Sequence, residues 1–297
     1  MIVLLTGILE QGLIYGIMAL GLYITYSILH FPDLSVDGTF PLGAAVTAVL
    51  ITRGVSPWLA LIAAFFCGIL GGLVTGLLHV RLKITDLLSG ILVMTALYSV
   101  NLRIADGKSN LPIFNQPTIF NSGLAALLPP VLAPYTVLLI VFLLALLMKA
   151  LLDWYMKTQS GTLLRAAGDN VQVVTAVARD AGAVKILGLA LANGFVALSG
   201  SILCQQQRFF DVTMGTGTMV IGLASVIIGT SLFRKLRFPG ATSRVLIGSI
   251  LYKCCIAGAI ALGFAASDMK LIQAVLFVIA LVINHQLKKG GFRHAEH

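Results

Sequence analysis

The sequence predicts an all-α fold: a polytopic integral membrane helical bundle of about eight full spans (eight to nine), with a broken or re-entrant helix near residues 31–53. Three observations carry this. Of 297 residues, 58% are hydrophobic and only 10% are charged, against about 25% charged in an ordinary soluble domain. The mean hydropathy is +0.99. The apolar residues also fall in long runs separated by short polar stretches, and most runs are near the roughly 20 residues that about 30 Å of hydrocarbon requires. A chain of this composition cannot cover itself with polar surface in water. A soluble enzyme or nucleic-acid-binding domain is therefore excluded, and residues 1–297 form a single transmembrane domain.

The first run covers 2–29. It has no basic leader and no small-residue cleavage site, so it is a retained span and not a signal peptide. The stretch 40–52 is too short to cross alone. Runs at 57–80, 84–104, 134–156, 184–206, 216–233, 242–264 and 269–287 bring the full-length candidates to eight. Gly68, Gly72 and Gly76 recur every four residues, as do Gly12 and Gly16, a spacing that lets helices approach closely in lipid. No internal repeat is evident.

Net charge is +9, from 20 basic and 11 acidic residues, and the bases sit at the ends of apolar runs. Arg81 and Lys83 follow the second long run, and Lys157, Arg165, Arg179 and Lys185 surround one connection. Arg234, Lys235, Arg237 and Arg244 form a third group, and Lys288, Lys289 and Arg293 a fourth. Placing all four groups in the cytoplasm makes the spans between them alternate without contradiction, with the C-terminus inside and the loop 105–133 outside. The N-terminus depends on 40–52. Re-entry or a broken helix leaves eight crossings and both ends inside.

Residues for covalent chemistry are nearly absent. Gly107-Lys108-Ser109 resembles the tail of a phosphate loop, but Leu102 replaces the earlier glycine and a membrane helix precedes it. The four cysteines lie in apolar runs without paired spacing, and His294 and His297 lie on a polar tail. No metal site is expected, and no enzymatic activity.

Two segments need an explanation. In 31–41, Asp33, Ser35, Asp37 and Thr39 lie between Pro32 and Pro41. The prolines stop helix continuation, and Ser35, Asp37 or Thr39 can cap a new start. Broken helices at membrane depth are tolerated where they are buried in protein or line a wet cavity, as at transporter substrate pathways; an ordinary interfacial turn is the alternative. The second segment is the connection at about 158–183. Ala167, Val171, Val174 and Ala178 recur at helical spacing, Gly161, Gly168 and Gly182 punctuate it, and Asp169 or Asn170 can cap its second part. The short amphipathic helix this predicts would lie on the membrane surface or dock into a soluble partner. Lys253 also stands out, near the middle of 242–264, where a lysine costs about 3 kcal/mol. We expect a structural ion pair, with Glu10, Asp37 or Asp86 as its partner.

With these segments in hand, the chain resembles the permease subunit of a bacterial ABC importer. The superfamily is that of branched-chain amino acid and ribose permeases, and the branch includes tryptophan and tyrosine importers. The resemblance rests on 31–43, on 161–170, on Lys185–Asn193 with 197–200 and Gln205, and on 211–215 with 220–229, which together cover most of the chain in order. It implies two permease copies around one pathway and a cytoplasmic ABC ATPase dimer that holds the ATP and Mg. It also implies an extracytoplasmic substrate-binding (lipo)protein and a multi-pass position in the bacterial cell membrane. This chain itself binds no cofactor. The stretch from Gly161 to Arg179 then matches the coupling region, with Arg165, Asp169 and Asn170 as contacts and Ala167, Val171 and Val174 as the docking stripe. Asp33 to Thr39 matches the broken helix beside the pathway, where Asp33 or Asp37 would attract an ammonium group; Asn193 and Gln205 are further lining candidates. The expected substrate is a small solute, most simply an amino acid and an aromatic one first. The rival readings are an ion-coupled secondary transporter and a non-transporting membrane scaffold. The first leaves the cytoplasmic helix without a task, and the second leaves the polar break unexplained.

Overall fold

The computed structural model describes residues 2–123, 129–169, 180–233, 240–265 and 268–292. Helix α1 (Ile2–Leu22) widens into a π-helical turn (Tyr23–Ile28), and the chain then leaves helical geometry until α2 (Val36–Thr52). Helices α3 (Pro57–Val80) and α4 (Asp86–Ile104) follow. After strand β1 (Asn110–Pro112) and a 3-10 turn (Pro130–Tyr135) come α5 (Thr136–Tyr155) and the short α6 (Gln159–Asp169). The rest is α7 (Ala181–Gln207), β2 (Phe209–Asp211), α8 (Thr218–Leu232), α9 (Ala241–Ala261) and α10 (Met269–Phe292).

Local chemistry sets the boundaries. Ser56 caps α3, accepting from the Leu59 amide, with Pro57 in the first turn, where a missing N–H costs nothing. Asp180 caps α7 through the Gly182 amide at 2.8 Å, and Arg208 ends it in the left-handed region at φ 63°.

Among the described residues, seven helices are long and apolar enough to cross a membrane, and α2 and α8 are shorter apolar helices. The protein is therefore a polytopic helical membrane bundle. The expected break at 31–53 is present as the non-helical stretch before α2. The run 216–233, expected as a full span, holds a helix of only 15 residues.

Contacts order the passages. Gly68, Gly72 and Gly76 of α3 lie against Asn193, Leu189 and Ile186 of α7, descending as α3 ascends in number, so the two helices are antiparallel. A Cβ at any of these glycines would enter the neighbouring backbone. Gly12 and Gly16 of α1 meet Ile250 and Leu246 of α9 in the same antiparallel sense. At one end of the bundle α6 packs against the end of α1, with Gly168 on the Ile28 carbonyl, and Asp153 accepts from the Thr242 hydroxyl at 2.6 Å. At the other end β1 and β2 pair antiparallel, Leu111 opposite Phe210.

The chain from His30 to Thr52 thus starts at the α6 end, where Leu29 touches Gly188, and finishes at the β end, where the Pro57 carbonyl accepts from Gln205. It crosses; it does not return. The segment from Val212 to Leu232 crosses in the opposite direction, from β2 to the level of Arg244. The consequence corrects one expectation: Ile2 and Phe292 lie at opposite ends of the bundle, not on the same side. A second finding was not visible in the sequence. The order long helix, break, short helix, long helix, long helix occurs twice, as α1–α4 and as α7–α10, in inverted directions, and α1 and α7 pack against each other, with the Ser199 hydroxyl on the Ile14 carbonyl.

Candidate functional site

The two short helices begin at the middle of the bundle, and their N-termini meet there. Pro32 precedes the first, and Pro41 sits inside it, so the Asp37 carbonyl has no donor four residues on. Gly215 approaches that carbonyl and the Pro41 ring so closely that a side chain would collide with both. The Asp37 carboxylate reaches across to α8. Oδ1 accepts from the Met219 amide at 2.8 Å and the Thr218 hydroxyl at 2.9 Å, and Oδ2 accepts from the Gly217 amide at 3.0 Å. Asp37 therefore caps a helix 180 residues away in sequence. Free N–H groups and the dipole at that helix end both favour an anion, and Gly217 takes φ 84° to present its amide.

Asp33 is enclosed. Its Oδ1 accepts from the Ser35 amide at 2.9 Å and its Oδ2 from Asn193 Nδ2 at 2.8 Å. The Ser35 hydroxyl donates to Asn193 Oδ1 at 3.3 Å, and Asn193 Nδ2 also reaches the Leu189 carbonyl at 3.1 Å. Asp33, Ser35 and Asn193 are fully buried, so this is a closed polar ring that locks the break to α7. The Thr39 hydroxyl donates back to the Ser35 carbonyl at 3.0 Å. Gln205 is also buried, accepting from the Ile119 amide at 3.0 Å and tying the 105–133 loop to the start of α3.

Of the six expected pathway residues, only Asp37 borders open space. A cleft of about 460 Å³ lies beside the junction, between Asp37, Gly38 and Pro41, the far half of α4, and the 212–216 turn. Sequence reasoning missed its polar lining. Thr95, Tyr98, Ser99 and Asn101 come from α4, and Thr213 and Thr216 from the turn. Asn101 donates to the Gly38 carbonyl at 3.0 Å, while its Oδ1 is buried with no donor, a state that costs about 1–3 kcal/mol. The signal available was four polar residues on one stretch of an otherwise apolar span. The site offers acceptors and hydroxyls around an apolar floor of Met94, Pro41 and Val212. No group of metal-ligating residues occurs among the described residues.

A model of the family described as branched-chain amino acid transport system / permease component matches residues 4–281. The chain belongs to this permease family. The permease is 46% identical over 285 residues to the tyrosine transport system permease protein of Clostridioides difficile (strain R20291), covering 95% of this chain and 92% of that one. It is 32% identical to an uncharacterized protein of Rickettsia prowazekii, over 92% and 95% of the two chains. It is 26% identical to the ribose import permease protein of Escherichia coli K12, over 95% and 85%. No solved structure matches the permease.

The other predicted positions fall at the α6 end and on α9. On α6, Gly161, Leu164 and Ala167 are buried against the bundle, while Gln159, Thr162, Arg165 and Asp169 form the exposed face. The expectation that Ala167 belongs to a docking stripe is thus corrected: it packs with Ala181 inside this chain. Asn170, Val171, Val174 and Arg179 lie outside the described residues. The expected Lys253–Glu10 ion pair does not form. Lys253 Nζ donates to Gln11 Oε1 at 3.4 Å and lies 3.7 Å from the Tyr15 ring centroid, while Glu10 accepts from Gln206 at 3.0 Å. Lys253 is also not isolated at mid-span. Its neighbour Gln11 adjoins Glu10, which is bonded to the last turn of α7, where the polar run from Gln205 to Arg208 begins.

Proposed function

We propose that this permease is the membrane subunit of an ATP-driven importer that carries an amino acid, aromatic amino acids first. The observation that carries this reading is the 46% identity, over 95% of the chain, to a permease named for tyrosine transport. The junction supports it. A cleft of about 460 Å³ falls within the roughly 300–1,000 Å³ of small-molecule sites. Thr216 would donate to the substrate's carboxylate, Tyr98 and Met94 would contact its ring, and Asn101 Oδ1, buried at the edge of the cleft, would accept from the substrate ammonium when the junction opens. In this role Asp33, Ser35 and Asn193 position the break, and Asp37 positions the second half-helix; none of these four grips the substrate.

The α6 end faces the cytoplasm in this reading, because Arg81, Lys83, Lys157, Arg165, Lys185 and Arg244 gather there. The C-terminus is then cytoplasmic, and the permease lies in the bacterial cell (cytoplasmic) membrane. The polar face of α6 would dock into a cytoplasmic ATPase dimer that holds ATP and Mg, and an extracytoplasmic binding protein would deliver substrate at the β end to a pair of permeases. Closure of the ATPases moves the helices only through contacts that differ between states, and Arg165 and Asp169 are placed to make them.

The test is purification from native membranes in mild detergent, identification of partners, and uptake into vesicles holding the recovered complex. Recovery of an ATPase, with ATP-dependent uptake of tyrosine or tryptophan in preference to leucine and ribose, is expected. Recovery of the permease alone after crosslinking, with uptake driven by a proton gradient, would overturn the reading in favour of a secondary transporter.

A further inference from the structure

The hairpin at the β end has an outward face with no assigned role. Side chains along a strand alternate between its two faces. Leu111, Ile113, Phe210 and Val212 turn inward and pack with Ala48, Ile51 and Ala105 at the ends of α2 and α4. The register sets Pro112 opposite Phe209, so these two share the outer face with Phe114. Phe114 is 62% exposed, yet its backbone is held. Arg208 Nη1 donates to the Phe114 carbonyl at 3.0 Å, and the Ile113 amide donates to the Arg208 carbonyl at 2.9 Å. Beside the aromatic pair, Asn110 Nδ2 donates to Asp211 at 3.4 Å.

Lipid does not account for this face. Helices α2, α4 and α7 end at Thr52, Ile104 and Gln207, so the hairpin lies beyond the spans. It also covers the ends of α2 and α7, which other helices enclose along most of their length. The aromatic face therefore sits over the interior of the bundle and not over its lipid-facing rim. Exposed bases border it: Arg53 and Arg103 at the ends of α2 and α4, and Lys108 just before β1, against the exposed acid Asp106. Strand β2 then runs without an intervening residue into the turn 212–216, whose Thr213 and Thr216 line the substrate cleft and whose Gly215 lies on the Asp37 carbonyl. Exposed aromatic side chains with a polar rim are the usual anchors of protein interfaces, because they bury a large area in one pocket.

We infer that the outer face of the hairpin, formed by Pro112, Phe209 and Phe114, is the seat of the extracytoplasmic binding protein, which meets it with an apolar pocket rimmed by carboxylates. The inference rests on the proposed function, which supplies the partner and the orientation; it adds where that partner sits and what recognises it. Phe114 fills the pocket, and Arg53, Arg103 and Lys108 face the acidic rim. Charge complementarity selects an acidic partner, and the link from β2 to the 212–216 turn places the seat next to the cleft that receives the substrate.

Binding to the complex in lipid nanodiscs tests this, with the extracytoplasmic protein that co-purifies with the permease as the probe. Phe114→Ser should weaken binding at least about tenfold, as truncation of an interface anchor does, and Phe114→Trp should keep it. The melting temperature should not move, because Phe114 is mostly exposed. Phe142→Ala, on the outward face of α5, should leave binding unchanged. Binding should also weaken as salt is raised, as charge pairing requires. A readout without any substitution is amide hydrogen exchange of the wild type, in which residues 110–116 should slow when the probe binds. Wild-type affinity in Phe114→Ser, binding indifferent to salt, or exchange at 110–116 unchanged by saturating probe would each overturn the inference. A photo-crosslinker at position 114 that reacts only with lipid, or with a second permease copy, would overturn it too. In these cases the partner is present and docks elsewhere, so the proposed function stands. Absence of any extracytoplasmic protein from the crosslinked complex would instead remove both.

Discussion

The two broken passages solve one problem with different chemistry. Each must start a helix in the middle of the bundle, where water is not at hand to satisfy the first turn of amides. The passage into α2 carries its own polar residues: Asp33 and Ser35 close a ring with Asn193, and Pro32 and Pro41 enforce the break. The passage into α8 has no charge between Val212 and Leu232. It relies on two glycines and borrows its cap from Asp37 of the first passage. The first half-helix thus brings its own charge to its start and the second does not, so the junction behaves as one unit that is lost from the Asp37 side.

That asymmetry can be broken. The largest effect should come from Asp37→Ala, which strips three donors at the start of α8 of their acceptor and leaves the hole buried. Hydrogen bonds to charged groups contribute about 1.5–3 kcal/mol each and are not additive, so a loss of about 4 kcal/mol is expected, read as a fall in melting temperature in detergent together with loss of uptake. Gly215→Val should come next, at about 3 kcal/mol, because the new side chain meets the Asp37 carbonyl and the Pro41 ring. A variant with wild-type melting would show that the two half-helices are not in the contact described.

Asp33→Asn sharpens the contrast from the other side. The ring keeps its shape and one acceptor, so the cost should be about 1–2 kcal/mol, well below that of Asp37→Ala. Equal costs would mean that the charge at Asp33, and not the enclosure, holds the first passage. Asn101→Leu separates structure from transport: it removes one bond to Gly38 and also the unmatched Oδ1, so stability should change by less than about 1 kcal/mol while the KM for uptake rises. An unchanged KM would remove Asn101 from the substrate site.

The smallest effect concerns the β end. Asp211 lies outside the spans; burial there would raise its pKa, but hydrogen bonds from the Thr213 hydroxyl, the Thr213 amide and Asn110 outweigh this and hold the carboxyl below the usual carboxylate range. A group lowered in the folded state adds stability above its unfolded pKa and loses it as the pH falls through the folded one. The melting difference between wild type and Asp211→Asn should therefore be present at about pH 7 and shrink towards about pH 3. A difference independent of pH would mean that the bonds to Thr213 and Asn110 do not depend on the charge.

The first break was legible because proline and aspartate interrupt an apolar run conspicuously. The second was not, since glycine and threonine barely lower hydropathy and its cap lies in another segment. For the same reason the sequence does not distinguish the enclosed Asp33 from Asp37, which borders the cleft: two acids beside a break look alike until the residue opposite is known. The sequence leaves the partner of Lys253 open among Glu10, Asp37 and Asp86, and the structure gives it Gln11 instead, because position along one helix says little about what the next helix presents.

Composition and run length by themselves determined that this chain crosses a membrane many times as helices, because apolar content and backbone hydrogen bonding leave a lipid-embedded chain few alternatives. Its motifs were enough to determine the permease resemblance. Only the tertiary structure decided that the two ends lie on opposite sides, that the halves are inverted, and that Asp33 is sealed while Asp37 holds a distant helix. Those are properties of which residues face each other, and side-chain pairing across 160 to 180 residues leaves no periodic trace along a single chain.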